Sequence, residues 1–202
     1  MMDVVEKRRK VGNPLALAVL AEMIIEPMHP YEMGRRLQEH GKDRNIKYNR
    51  SSLYMVVEQL VKAGFIAERE TVRDTQRPER TVYAITDAGR AEFYDWMREL
   101  VAVPKQEFPQ FGVALSLLSA LPPEEAVTLL QRRLTALTAQ LDEVTGLLKD
   151  STEQGLAWIF LVEEEYRRVM LDAERRLVTD IVQSLQQPEY VRQWHEVMGR
   201  HT

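Results

Sequence analysis

Asn49-Arg50-Ser51-Ser52-Leu53-Tyr54 opens a helix that the spacing of apolar residues predicts over Arg50–Ala63, and the fold turns on that stretch. Asn49 is a good N-cap, because its side-chain oxygen can accept from the free backbone N–H groups at a helix start. Behind it Leu53, Val56, Val57, Leu60 and Val61 recur at three and four residues, the mark of one buried face. Arg50, Ser51, Tyr54, Met55, Glu58 and Gln59 fall elsewhere around the helix, so the outward set is polar at its start. Gly64 supplies the C-terminal stop.

Upstream, Pro14 to Glu26 is made of strong helix formers, with proline at the first helical position and apolar residues almost all round. A buried first helix is expected there. Glu26-Pro27-Met28-His29-Pro30 breaks it, because two prolines in four residues do not sit inside a helix. A short second helix follows with Tyr31, Met33 and Leu37, and Gly41 ends it. Downstream, Phe65–Val72 and Arg80–Thr86 read as two strands flanking residues 73–79, with Arg73 and Arg77 at the tip. Thr86 and Asp87 cap a fourth helix that runs to Val101, with Ala88, Phe93, Trp96, Met97 and Leu100 on its apolar side. This order predicts a winged helix-turn-helix domain with a small β-hairpin wing over residues 14–101. Residues 1–13, which include Lys7-Arg8-Arg9-Lys10, read as a basic N-terminal arm.

Pro104 and Pro109 mark a linker into an α-helical domain expected over residues 102–202. Phe111–Ala120 reads as a short apolar helix, and Pro122-Pro123-Glu124-Glu125 opens a long one with acidic residues at its positive end. There Val127, Leu130, Leu134, Leu137, Leu141, Val144 and Leu148 alternate spacings of three and four, the seam of a helix packed lengthwise on another. Its partner is expected in Glu153–Gln187, where Ile159, Val162, Tyr166, Met170, Ala173, Leu177, Ile181 and Leu185 keep a similar stripe. Two antiparallel helices bury too narrow a core to stand alone, so a second hairpin from a second copy of the chain is the economical solution. The expected fold class is mainly α: a winged helix-turn-helix domain plus a C-terminal antiparallel helical dimerisation domain. The homodimer interface is expected at Leu130, Leu134, Leu137, Leu141, Ile159, Val162, Tyr166, Met170, Leu177 and Ile181.

Hydrophobic residues make up 45% of the 202, enough to bury a core, and the formal charge of −4 is unevenly spread. Residues 1–90 carry 16 Lys and Arg against 13 Asp and Glu, whereas residues 91–202 carry 11 against 18. A mildly basic head on an acidic body fits a nucleic-acid partner. Without cysteine there is no disulfide and no thiolate zinc site. No apolar run approaches the roughly 20 residues that span a bilayer, and no signal-peptide pattern follows Lys10, so a cytoplasmic protein without membrane contact is expected.

A major groove admits one helix, and the residues that touch base edges lie at its N-terminal end, where backbone N–H groups and the dipole also favour a phosphate. Asn49, Arg50, Ser51, Ser52 and Tyr54 occupy that end, with Lys47 and Tyr48 just before it. Arg50 suits guanine, and the serines suit phosphate or base. Tyr31 and Tyr54 fit either a phosphate contact or packing between the second and third helices. Arg73, Arg77 and Arg80 would lie along the adjacent minor groove. Double-stranded DNA is therefore the expected partner.

These residues resemble the PadR family of bacterial transcriptional regulators over residues 14–100. Met28-His29-Pro30-Tyr31-Glu32-Met33 is similar to the family's Met-His-Gly-Tyr-Glu-Ile stretch, and Ser52-Leu53-Tyr54 to its Gly-Ser-Leu-Tyr core. Arg77 to Arg90 resembles its wing and following helix. The resemblance implies a dimeric winged-helix regulator, usually a repressor, on an inverted-repeat operator. Its helix-start contacts would fall on Arg50, Ser51, Ser52 and Tyr54, and its wing contacts on Arg73 and Arg77. Three departures stand out: Pro30 replaces Gly, Met55 replaces the Pro after Tyr, and Glu58-Gln59 stand where a Lys-Arg pair is frequent.

An enzyme is not expected, because the sequence lacks a Gly-rich phosphate loop, a His-Glu-x-x-His or a Gly-x-Ser-x-Gly. No cofactor or metal is expected either, since His29, His40, His195 and His201 lack a ligand spacing. The alternative to a DNA-binding regulator is a winged-helix protein-interaction adaptor that does not bind DNA. Within regulators, Phe93, Trp96, Phe111 and Trp158 are candidates for an apolar effector pocket that would take a planar small molecule.

Overall fold

A computed structural model of the chain describes residues 9–74 and 77–198. The chain divides into two compact units, Met1–Gln106 and Glu107–Thr202, with the division inside the Pro104–Pro109 stretch. Among the described residues the N-terminal unit holds α1 (Pro14–Ile25), α2 (Pro30–Glu39), α3 (Arg50–Lys62), strands β1 (Ile66–Asp74) and β2 (Arg77–Ile85), and α4 (Asp87–Ala102). The C-terminal unit holds α5 (Gln110–Ser116), α6 (Pro123–Glu153), α7 (Val162–Leu185) and α8 (Pro188–Met198).

Local sequence accounts for the element boundaries of the first unit. Asn13 caps α1 by accepting from the Leu15 amide, and Pro14 follows at the first helical position. Leu15, Ala16, Val19, Leu20 and Met23 of α1 are buried, as are Met33 and Leu37 of α2 and Leu53, Val56, Val57 and Leu60 of α3. These three helices share one core with Phe65, Ile66 and Trp96. Met28, between the two prolines, exchanges backbone hydrogen bonds with Tyr83 at 3.0 and 3.1 Å and so adds a one-residue third rung to the sheet.

The hairpin is longer than the sequence suggests. Its strands reach Asp74 and begin again at Arg77, with Asp74 opposite Arg77 and Val72 opposite Arg80, so Arg73 and Arg77 belong to strands and not to a seven-residue loop. A bulge between Glu68 and Glu70 makes Arg69 the extra residue, and a second irregularity lies between Val72 and Asp74. Pro78 sits opposite that irregular stretch, where a missing N–H costs the ladder least. At the base, the Thr86 hydroxyl donates to the Gly64 carbonyl at 2.7 Å and accepts from the Gly89 amide at 3.0 Å. Gly89 is required: a Cβ there would stand 1.9 Å from the Phe65 carbonyl oxygen.

In the second unit α6 and α7 form a two-helix hairpin, with Ala126, Leu130 and Leu137 buried against Val178, Val182 and Leu185. The helix expected to begin at Glu153 begins instead at Val162, after a 3-10 turn over Trp158–Phe160. Gly155, at φ 81°, is the cause: its amide donates to Thr152 and that of Leu156 to Ser151, a Schellman ending that closes α6. Helix α8 was not expected, and Trp194 ties it back by donating to the Ser119 carbonyl at 2.9 Å.

Candidate nucleic-acid interface

The start of α3 is built by a capping box. The Ser52 amide donates to the Asn49 side-chain oxygen at 2.8 Å, the Asn49 amide donates to the Ser52 hydroxyl at 2.8 Å, and that hydroxyl donates to the Asn49 carbonyl at 2.9 Å. Asn49 Oδ1 and the Ser52 hydroxyl are thus committed to holding the helix end, which corrects their assignment as free DNA ligands. Tyr48 is committed too. Half-buried against the core, it donates from its hydroxyl to the Gly34 carbonyl at 3.3 Å and pins the approach to α3 onto α2.

What remains outward is compact and cationic. Lys47, Arg50 and Ser51 are exposed, and among the described residues no carboxylate pairs with Lys47 or Arg50. The Arg50 guanidinium stands 5.8 Å from the centre of the half-buried Tyr54 ring, which restricts its swing. By contrast, Arg35 is paired with Glu32 and Glu39, and Arg36 with Glu26 and Glu32. Glu32 is held below the ordinary carboxylate range by the Arg35 hydrogen bond. Tyr31 is exposed at the start of α2 rather than packed between helices.

Arg73, Arg77 and Arg80 lie on the two strands of the wing, and their side chains fall outside the described residues. At the foot of that wing, burial and then the carboxylates of Glu68 and Glu58 raise the Tyr83 phenol above its ordinary value.

The basic arm needs correction. Residues 1–8 lie outside the described set, but Arg9 is not an arm residue: its side chain is 5% exposed, donates to Glu92 at 2.7 Å and Asp95 at 3.3 Å, pairs with Glu99, and lies over the Trp96 ring at 5.3 Å. Hydrogen bonds from Lys105 and then Arg9 hold the Glu99 carboxyl below its usual range. Lys10 stands 5.8 Å from the Phe65 ring and Val11 is buried, so residues 9–11 belong to the domain. Sequence missed this because a basic run carries no signal of an acidic helix face far along the chain.

The four aromatics expected to line one effector pocket do not act together. Trp96 is 4% exposed in the N-terminal core, and Phe93 packs against that core. In the C-terminal unit, Phe111 lines a hollow of about 430 Å³ with Leu115, Leu118, Leu121, Leu130 and Arg133. Trp158 lines a different one of about 410 Å³ beside Leu148, Thr152 and Leu161. From Arg133 to Leu148 is about 22 Å of helix, so these two aromatics serve separate hollows. Arg133 lies 3.6 Å over the Phe111 ring and also donates to Glu174 at 2.6 Å.

The expected dimer contacts divide into two sets. Leu130 and Leu137 are buried against α7 of the same chain, with Leu134 and Ile181 packed on that core and Leu141 half-buried; they are correctly read as a seam, but the seam is internal. Ile159, Val162, Tyr166, Met170 and Leu177 are exposed, with Tyr166 at 66%. From Val162 onward they recur at helical spacing on α7, and Trp158 and Phe160 extend the apolar surface through the preceding turn.

Among the described residues no helix is long and apolar enough to cross a membrane, and no cluster of three metal-ligating side chains occurs.

Residues 17–95 match the family described as "Transcriptional regulator PadR-like family", which is one of transcriptional regulators and not of enzymes. The "Negative transcriptional regulator PadR" of Bacillus subtilis (strain 168) is 29% identical over 96 residues, 48% of this chain and 52% of that protein, so the match spans about half of its length. The Bacillus subtilis PadR structure with operator DNA superposes with a TM-score of 0.58 at 21% identity, covering 82% of this chain and 99% of that one. The same protein with p-coumaric acid gives 0.58 at 19%, covering 82% and 98%. The Vibrio cholerae virulence activator AphA gives 0.65 at 14%, covering 85% and 97%. At these identities the structures are alike in fold, the winged helix-turn-helix with a helical C-terminal region.

Proposed function

We propose that this chain, whose residues 17–95 belong to the PadR-like family of transcriptional regulators, is a homodimeric regulator that binds an inverted-repeat operator in duplex DNA. The observation that carries the reading is the start of α3. A fully capped helix end presents Lys47, Arg50 and Ser51 to solvent, and its two cations have no carboxylate partner among the described residues. An exposed, unneutralised cation pair at a helix N-terminus is matched to phosphate by charge and by the free N–H groups. Arg73, Arg77 and Arg80 extend the basic surface along the wing, and Tyr31 adds a hydroxyl from α2.

The dimer follows from the outer face of α7. A helix that leaves Val162, Tyr166, Val169, Met170 and Leu177 in solvent is incompletely buried, and an identical face on a second copy covers it by a two-fold contact. Two heads then read half-sites about 34 Å apart, one helical turn of DNA. Repression is the sign of control assigned here, after the Bacillus subtilis relative described as a negative regulator. A small-molecule effector completes the reading, supported by that protein's complex with p-coumaric acid, and the protein works in the cytoplasm.

Fragments of the source genome selected on the full-length protein test this. The expected footprint is near-palindromic with two protected half-sites, and a reporter driven by the fragment rises when the chain is deleted. A footprint on one asymmetric half-site contradicts the dimeric reading, and the absence of any salt-sensitive duplex binding contradicts the DNA reading itself.

A further inference from the structure

Helix α3 has a face that the phosphate-binding reading does not use. With Leu53, Val56, Val57 and Leu60 buried, the residues diametrically opposite are Ser51, Met55, Glu58 and Lys62, at spacings of four, three and four, and all four are exposed. Arg50, which sequence alone pairs with guanine, sits on the flank beside Tyr54 and suits the strand backbone instead. Asn49 and Ser52 are committed to the cap. Whatever reaches base edges from the middle of this helix must therefore come from the opposite stripe.

Two members of that stripe are chemically out of place on a surface that only meets phosphates. Met55 is 50% exposed, an apolar side chain in the middle of the outward face. Glu58 is exposed, and among the described residues it has no ion-pair partner, so near phosphates its charge is repulsive unless a donor meets it. The major groove offers a match for each: the thymine C5-methyl for an apolar group, and the cytosine N4 amino group for a carboxylate. From Ser51 to Glu58 is about 10 Å along the helix axis, which covers about three base pairs at roughly 3.4 Å each.

We infer that Met55 and Glu58 are the specificity-determining residues of the operator contact, Met55 against a thymine methyl and Glu58 accepting from a neighbouring cytosine amino group, with Ser51 on the adjoining pair. This rests on the DNA-binding reading above. Lys62, at the far end of the stripe, returns to the backbone. Arg50 and Lys47 supply affinity that is blind to sequence.

Selection from duplexes randomised across one half-site, with the full-length wild type, Met55→Ala, Glu58→Gln and Arg50→Ala, tests the assignment. Wild type should select a thymine and a cytosine within one three-pair window. Met55→Ala should cut the thymine preference about fivefold or more, the size of a lost base contact. Glu58→Gln should move the preferred base from cytosine to adenine, whose N6 and N7 suit an amide. Arg50→Ala should weaken binding to all sequences and leave the preferences in place. If wild type selects a sequence that neither Met55→Ala nor Glu58→Gln alters, this assignment fails while DNA binding stands. If wild type shows no salt-dependent duplex binding, the DNA reading fails and takes the assignment with it. The substituted side chains are exposed, and matched thermal unfolding curves establish that the variants remain folded.

Discussion

The N-terminal unit buries its large apolar side chains and spends its polar ones on internal ties, whereas the C-terminal unit leaves Trp158, Ile159, Phe160, Tyr166 and Met170 in solvent. In the first, Arg9 is locked against α4, the Ser52 hydroxyl holds the start of α3, and Tyr48 pins its approach. In the second, one seam between α6 and α7 is filled and the opposite face of α7 is bare. A head that is complete in one copy and a hairpin that is not divide the work: one presents a rigid surface, the other duplicates it.

The comparison breaks most visibly if the bare face of α7 is not an interface. Tyr166→Asp combined with Met170→Asp should give a monomer by sedimentation velocity. Operator affinity should fall about 100-fold or more, because the second half-site loses its tether. A dimer that survives both substitutions would remove the contrast between the units.

A smaller effect tests the packing difference with one kind of change in each unit. Gly89→Ala forces a Cβ onto the Phe65 carbonyl and should cost about 1–3 kcal/mol in chemical unfolding. Gly146→Ala, inside α6 with open space around the position, should instead stabilise by up to about 1 kcal/mol. Equal effects at both sites would contradict the picture of a tight head and an open hairpin.

The smallest effect concerns pH. Glu99 titrates below its ordinary value in the folded head, held there by Lys105 and Arg9, so its contribution to stability is present above the usual carboxylate range and is lost as pH falls through the lowered value. Wild type should lose stability more steeply between pH 5 and pH 3 than Arg9→Met, measured as the urea midpoint at each pH. Parallel profiles would show that the Arg9 cluster does not couple to Glu99.

Much of this was legible in the chain. The period of Leu53, Val56, Val57 and Leu60, the prolines at 27 and 30 and the glycine at 64 are local signals, and α1 to α4 and the wing follow from them. Gly155 was equally local and was passed over because the apolar stripe runs on through it, which is why α7 begins later than expected. The fate of Arg9, the split of the leucines of α6 from the outer face of α7, and the commitment of Ser52 to the cap are tertiary facts. In each, the same residue types would serve a different role if the surrounding helices were placed otherwise. The aromatics at 96, 111 and 158 read alike in sequence, yet one is core and two line separate hollows.

The central claim is that Lys47 and Arg50 meet DNA phosphates. It is tested most directly by the slope of log affinity against log salt for a selected operator, with wild type, Lys47→Ala and Arg50→Ala. Each substitution is predicted to weaken binding and to flatten the slope by about one, the release of one counterion contact per copy of the site. Slopes that coincide with wild type for both variants would contradict it.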